Sequence, residues 1–337
     1  MAPAEASVVW VNAPGELEIR TEALRAPDDK DLLCQTIVSA ISPGTELAAY
    51  KGLPPLRSGP NYPRLVGYCN VARVLETGNH VTRFRTGDRV LTFTSHRSAF
   101  VVAEDEVLYR LPESASADDI VCAYLFHLGY NAVLRGNARA GSRVLVIGLG
   151  PLGLTTVAMA SVAGAQVYAL SDQGGPAAIA REFGAEAVFA RHERAAMIEA
   201  LGSDLADLVV STTNGWNDWE TALAAAGKMG IIGVLGFPGR GEPAPTINPL
   251  ASQYFYMKQL RIEAVGLSPE HPDSRGFSRF NVRSNLDYLA RQISSGNLRS
   301  SLLVSGAYEG LDIRSAYRDL DSRRSSPTTY LLRWSAV

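Results

Sequence analysis

The segment Arg143-Val144-Leu145-Val146-Ile147-Gly148-Leu149-Gly150-Pro151-Leu152-Gly153 constrains this chain more than any other stretch. An apolar strand runs through three spaced glycines into a helical pattern, the context in which such a spacing carries meaning. Gly148 permits a tight turn, Gly150 lets backbone approach a pyrophosphate, and Gly153 lets the helix pack closely on the strand. The helix that opens at Pro151 and Leu152 offers free N–H groups and partial positive charge to phosphates. These residues predict a dinucleotide site.

Strands and helices then alternate. Apolar strands are expected over 143–148, 166–171, 187–190, 207–212, 230–237 and 261–267. Helices are expected over 151–163, 174–184, 193–202 and 216–228. Near-continuous apolar strands between helices predict an α/β unit, with a doubly wound six-stranded parallel sheet covered on both faces. Ligands bind at the carboxyl ends of such strands. Leu235, Gly236, Gly266 and Leu267 are therefore candidates to hold a nicotinamide amide, and Thr212 and Thr213 to border the adenosine side. At the end of the second strand, Asp172 lies 19 residues past Gly153 and can take the ribose hydroxyls of NAD. Ser171, one place earlier, would instead admit the 2′-phosphate of NADP. No Arg or Lys occurs within 173–176, so NAD and NADP both stay open.

The 337 residues are enough for about two domains. Up to about residue 117 the texture is different. Short β-like runs at 34–41, 71–75, 88–93 and 99–102 are separated by glycines and prolines, which predicts a barrel-like or sandwich-like β unit. A helical pattern begins at Asp118 and Asp119 and runs to about residue 134. After residue 268 come a helix near 281–295, another near 312–320 and a strand at 329–334. The expected division is a β-rich domain of residues 1–125 and 268–337 and a dinucleotide-binding domain of residues 126–267. The loop 53–63, with four prolines, reads as an ordered surface loop or lid. Arg323 and Arg324 read as a solvated loop.

Composition removes several function classes. A net charge of −2 gives no field to gather nucleic acid or an anionic membrane. No apolar run approaches the ~20 residues that span a bilayer. The residues Met1 to Glu5 show no signal-peptide pattern. Cys34, Cys69 and Cys122 are odd in number, widely spaced and without a CxxC, which argues against a disulfide framework or a zinc knuckle. The expectation is a cytoplasmic protein with a small-molecule substrate and neither a nucleic-acid nor a membrane partner.

The order of parts resembles the medium-chain dehydrogenase/reductase superfamily over nearly the whole chain. Gly87-Asp88-Arg89-Val90, the segment 143–185 and Gly230-Ile231-Ile232-Gly233-Val234-Leu235-Gly236 carry the likeness. Ile41-Ser42-Pro43-Gly44-Thr45-Glu46 further resembles a branch marked by SPGTE, which includes bacteriochlorophyllide dehydrogenase-like proteins. The resemblance implies a GroES-like catalytic domain, a Rossmann domain, NAD or NADP as cofactor, and a homodimer formed along the fifth and sixth strands.

Zinc members of that family place a Cys where this chain has Pro43, a His-Glu pair where it has Tyr68-Cys69, and a third ligand near Tyr124. The four-cysteine zinc loop expected after residue 93 is also absent. The expectation is no zinc of either kind, with Cys69, His127 and Glu46 as the one alternative metal set. A carbonyl or enone then needs hydrogen-bond donors and a proton source instead. Thr45 matches the family's proton-relaying hydroxyl, and Tyr68 stands where a ligating His would stand. His127 and Tyr130 fall near the expected nicotinamide, and Glu46 would orient Thr45 or an Arg. Each has a plainer reading: Thr45 as a turn cap, Tyr68 and Tyr130 as packed aromatics, His127 as a core histidine, and Glu46 as a surface acid. His96 is expected at the surface. Tyr62, Arg64, Arg275 and Phe277 suggest a substrate larger than ethanol. The rival class is a nucleotide-binding regulatory protein without catalysis.

Overall fold

The expected apolar strands form one parallel sheet, and their order follows from the right-handed crossovers that link them. The computed structural model describes residues 3–54, 61–322 and 328–334. Residues 55–60 of the proline-rich loop, and Arg323 and Arg324, lie outside the described residues. The chain divides into two compact units, residues 1–124 with 270–337 and residues 125–269.

In the second unit the strands run Ala187–Phe189, Gln166–Leu170, Arg143–Ile147, Ala206–Ser211, Ala226–Val234 and Arg261–Ala264 across the sheet, all parallel. This is the 3-2-1-4-5-6 order of a doubly wound fold, in which the order reverses beside the first strand. Leu145, Ile147, Leu170, Val209 and Ile232 pack with Met197, Leu201, Trp219 and Leu223 into its core.

The fifth strand begins at Ala226, four residues earlier than expected, and its helix Trp216–Ala225 ends correspondingly early. The alanine-rich run favours continued helix on propensity alone. Tertiary contacts override it. The Lys258 ammonium donates to the carbonyls of Leu223, Ala224 and Ala226, satisfying the helix end. Ala226 then pairs with Ala206.

The first unit is β-rich. A seven-stranded sheet contains Asp31–Ala40, Asn70–Thr77, Arg89–Thr92, Ala99–Ala103, Tyr109–Arg110, Val304–Glu309 and Thr329–Arg333, and a hairpin of Glu5–Ala13 and Glu16–Ala23 joins Arg64–Leu65 in a second sheet. Val9, Val11, Ile41, Val66, Ile313, Leu320 and Leu332 form one core. The helix Val282–Ser294 is capped by Asn281, whose side chain accepts from the Ser284 N–H.

A short helix, Pro43–Lys51, interrupts the strands. Its local signals are consistent with one another: proline at the first helical position, Glu46 in the first turn, Lys51 in the last, and Gly52 beyond it at φ 71°.

Candidate functional site

The nucleotide side is built on the Arg143–Ile147 strand. Gly148 adopts φ +91°, where a side chain would be strained and would meet Thr213 Cγ2 at 2.4 Å. A Cβ on Gly153 would lie 1.9 Å from the Gly148 carbonyl oxygen, so the helix Pro151–Val162 can approach its strand only with glycine there. A Cβ on Gly150 would meet nothing within 4 Å. Gly150 caps the helix without a side-chain bond, and Pro151 brings no N–H of its own. The first-turn amides beyond it have no capping side chain.

Thr212 and Thr213 divide the work expected of them. The Thr212 hydroxyl donates toward the carbonyls of Ile147 (2.9 Å) and Gly148 (3.1 Å), so it braces the glycine loop. Thr213 Oγ1 is buried and has no hydrogen-bond partner among the described residues. Open space over Gly150, uncapped amides and an unmatched hydroxyl fit a polar ligand with phosphates.

Gly236 lies so close to Thr212 and Thr213 that a Cβ would come 2.6 Å from the Thr213 carbonyl. Leu235 is buried beside it, whereas Leu267 is exposed. Asn131 braces the neighbouring backbone, donating to the Val265 carbonyl at 2.7 Å and accepting from Ser268 at 2.8 Å. Nothing in the local sequence marked Asn131, because its partners lie 134 and 137 residues away.

At the end of the second strand, Ser171 is buried and its hydroxyl accepts from the Gln173 N–H, while Asp172 projects outward. Arg191, from beyond the third strand, grips the Asp172 carboxylate. Hydrogen bonds from the Arg191 backbone and then from its guanidinium hold Asp172 below the usual carboxylate range. No cation lies within residues 173–176, and this one comes from the turn after the third strand.

His127 and Tyr130 lie on the helix Ala123–Arg135, which approaches the helix Pro151–Val162 closely at Gly129. His127 is buried, and that burial pushes its imidazole down to about 4, so the ring is neutral at pH 7.

In the first unit, Thr45, Glu46 and Tyr68 line a cleft of about 180 Å³ with Ala49, Arg64 and Gly67. Thr45 is exposed on the first turn of the helix Pro43–Lys51. The Tyr68 hydroxyl donates to Ser42 Oγ, and its ring meets Tyr124 edge-on at 5.4 Å. Burial raises the Tyr68 phenol far above its ordinary value, so it keeps its proton.

Glu46 is no surface acid. Its Oε1 accepts from the Ser42 N–H at 2.6 Å, and its Oε2 from the Tyr317 hydroxyl at 2.7 Å. Its Oε2 also lies 2.9 Å from His96 Nε2. His96, expected at the surface, is 1% exposed. The loop around it is drawn inward because His96 N–H donates to the Val66 carbonyl, and its own carbonyl accepts from Val9. Gly67, at φ +87°, makes room: a Cβ there would sit 2.6 Å from the His96 ring. Tyr317 comes from the C-terminal part of the chain, so sequence spacing could not reveal it. Of the substrate-side guesses, the Tyr62 hydroxyl is bound to the Ala49 carbonyl, and Phe277 is exposed with the Arg275 guanidinium 5.3 Å from its ring centre.

The zinc positions can be judged on these residues. Pro43 offers no ligating atom, and Tyr68 is bonded to Ser42. This donor set does not fit zinc's usual thiolate, imidazole and carboxylate ligands. Among the described residues, no three His, Cys, Asp or Glu side chains gather to hold a metal.

A family model described as zinc-binding dehydrogenase matches residues 151–276. The NADP-dependent alcohol dehydrogenase C 1 of Mycolicibacterium smegmatis is 26% identical over 274 residues, covering 68% of this chain and 76% of that protein. The quinone oxidoreductase of Pseudomonas aeruginosa is 24% identical over 290 residues, covering 82% of this chain and 84% of its own. Among solved structures, the 2R,3R-butanediol dehydrogenase of Bacillus subtilis superposes with a TM-score of 0.81 at 18% identity, over 97% of this chain and 99% of that one. With the sheet order and glycine loop, these findings show a likeness to zinc-binding dehydrogenases, alcohol dehydrogenases and quinone oxidoreductases and to the two-domain fold of the solved structure. The β-rich unit is accordingly GroES-like and the parallel-sheet unit a Rossmann fold. Among the described residues, no helix is long and apolar enough to cross a membrane.

Proposed function

We propose that this chain is an NAD(P)-dependent oxidoreductase that works without zinc. It moves a hydride between a nicotinamide and a carbonyl/alcohol pair, or an activated C=C, of a small to medium organic molecule. The observation that carries the reading is the glycine loop: Gly153 is closed against Gly148, while the space over Gly150 is open. The alcohol dehydrogenase and quinone oxidoreductase relatives support the reaction class.

When bound, the nicotinamide supplies or accepts the hydride. The first turn from Gly150 to Gly153 holds the pyrophosphate, and Thr213 supplies a hydroxyl beside it. The strand ends at Leu235, Gly236, Gly266 and Leu267 position the amide. Tyr68 acts as a hydrogen-bond donor to the substrate oxygen by turning its one O–H from Ser42 Oγ, since its raised phenol retains its proton. Thr45, exposed on the neighbouring turn, relays a proton from solvent to the substrate oxygen when a carbonyl is reduced, and from the alcohol to solvent in the reverse direction. His127 orients rather than donates, because a ring that titrates at about 4 carries no acidic proton near neutrality. Glu46, with both oxygens engaged by protein donors, positions Ser42, the acceptor for Tyr68.

The same reading includes a homodimer along the fifth and sixth strands, Ala226–Val234 and Arg261–Ala264, the second of which is the end strand of the sheet among the described residues. Light scattering after size exclusion checks that mass. The function itself is tested by following NADH and NADPH oxidation against a panel of ketones and quinones in the presence of a chelator. Turnover supports the reading. Nucleotide binding without turnover on any panel member would favour the non-catalytic rival.

A further inference from the structure

A second cleft lies in the β-rich unit, where the hairpin of Glu5–Ala13 and Glu16–Ala23 meets the strand Ala99–Ala103. Its volume is about 310 Å³, at the small end of the ~300–1,000 Å³ typical of ligand sites. Ala6, Val8, Phe100 and Val101 give it an apolar wall, and Glu22 and Arg97 its charges. It shares no lining residue with the cleft of Thr45 and Tyr68. Backbone contacts hold Arg97 in place: it bridges Val8, and the Ser98 N–H donates to the Ser7 carbonyl at 2.9 Å. Arg97 is half-buried, and its Nε and Nη2 both donate to the Ser95 hydroxyl, at 3.1 and 2.6 Å. Ser95 thus occupies one edge of the guanidinium. The Nη1–Nη2 edge, which also fits a carboxylate in two-pronged fashion, is left over. Among the described residues Arg97 meets no carboxylate. Burial disfavours its charge, and the field of Glu22 offsets this only in part. Glu22 Oε1 accepts from Trp10 Nε1 at 2.6 Å, and its Oε2 has no hydrogen bond among the described residues. Arg25, on the same rim, is no partner for Glu22, because Asp28 and Asp31 hold its guanidinium.

We propose that this cleft binds a small amino-acid-like zwitterion, with its carboxylate on the open edge of Arg97, its ammonium on Glu22 and its apolar side chain against Phe100 and Val101. The proposal depends on neither the nucleotide nor the hydride-transfer reading. Two opposite charges line one small cleft, and each keeps hydrogen-bonding capacity that the other does not use. A simple carboxylate would satisfy Arg97 but bring its charge toward Glu22. A simple amine would satisfy Glu22 but face the guanidinium. A molecule carrying both groups pairs each charge and adds no net charge to a half-buried space. The planar fork of arginine selects carboxylate geometry at one end. The buried Ala6, Val8 and Phe100 leave an apolar surface for the rest of the molecule.

Isothermal titration calorimetry of the full chain tests this with three probes. They are L-leucine, isocaproate (leucine without its ammonium) and isoamylamine (leucine without its carboxylate). The expected result is one leucine per chain with a Kd of ~1 mM or tighter, and each half-molecule weaker by ~10-fold or more. Arg97→Met and Glu22→Gln should each weaken leucine by ~10-fold or more, with unchanged far-UV circular dichroism showing the fold intact. Glu22→Gln keeps an acceptor for Trp10, so it tests the site even if Arg97→Met does not fold. No binding of leucine would overturn the proposal. Isocaproate or isoamylamine binding as tightly as leucine would overturn the match to two charges. Wild-type affinity for leucine in a folded Arg97→Met or in Glu22→Gln would overturn the role given to that residue.

Discussion

His96 Nε2 lies 2.9 Å from Glu46 Oε2, and both side chains are withdrawn from water. The partners around them favour one proton arrangement. Ser39 Oγ accepts from Trp334 Nε1 at 3.0 Å and lies 2.8 Å from His96 Nδ1. A Ser39 proton directed at Nδ1 leaves Nε2–H for the carboxylate. Glu46 thus collects donors from Ser42, His96 and Tyr317, three separate parts of the chain.

That convergence predicts a stability effect. Glu46→Ala strands several buried donors and should cost about 3 kcal/mol. Urea denaturation measures it as a lower midpoint at unchanged slope. Gly67→Ala attacks the same place from the other side, by pressing a methyl against the His96 ring, and should also destabilise.

The last two glycines of the nucleotide loop should separate in their effects. Gly153→Ala drives a Cβ into the Gly148 carbonyl, so the fold should suffer and Tm should fall. Gly150→Ala meets open space in the protein itself, so Tm should hold while NADH binding weakens ~10-fold or more. A Gly150→Ala variant with wild-type affinity would contradict the assigned pyrophosphate approach.

Tyr68→Phe removes the donor and keeps the ring. The expected outcome is a loss in kcat of about 10²–10⁴-fold with little change in the Kd for NADH. Full kcat on a true substrate would remove Tyr68 from the chemistry.

His127 makes a pH prediction. Burial lowers its imidazole from 6.5 to about 4, so below pH 6.5 the unfolded chain takes up the proton that the folded chain refuses. The stability it contributes is complete above pH 6.5 and declines as pH falls toward 4, by at most about 3 kcal/mol. His127→Gln should flatten that part of the stability profile, measured by urea midpoints across the window.

These residues also show where sequence reading succeeds. The six-stranded sheet was legible because each strand is a local apolar run and each crossover a local helix. The loop from Gly148 to Gly153 was legible because its geometry follows from residues five apart. The helix Pro43–Lys51 carries caps, yet its nine residues have no periodic apolar stripe to mark it among the strands. His96, Tyr317 and Arg191 were missed for one shared reason: each acquires its partner from a distant segment. A histidine in a polar tetrapeptide gives no sign of the glycine that admits it to the interior.

The central claim is hydride transfer from a nicotinamide without a metal. The most direct measurement uses nicotinamide nucleotide deuterated at C4 and protein dialysed against a chelator, with deuterium in the reduced ketone or enone product read by mass spectrometry. The account predicts deuterated product, undiminished by chelation. No transfer from either nucleotide to any acceptor, or transfer that vanishes on chelation and returns with Zn²⁺, would contradict it.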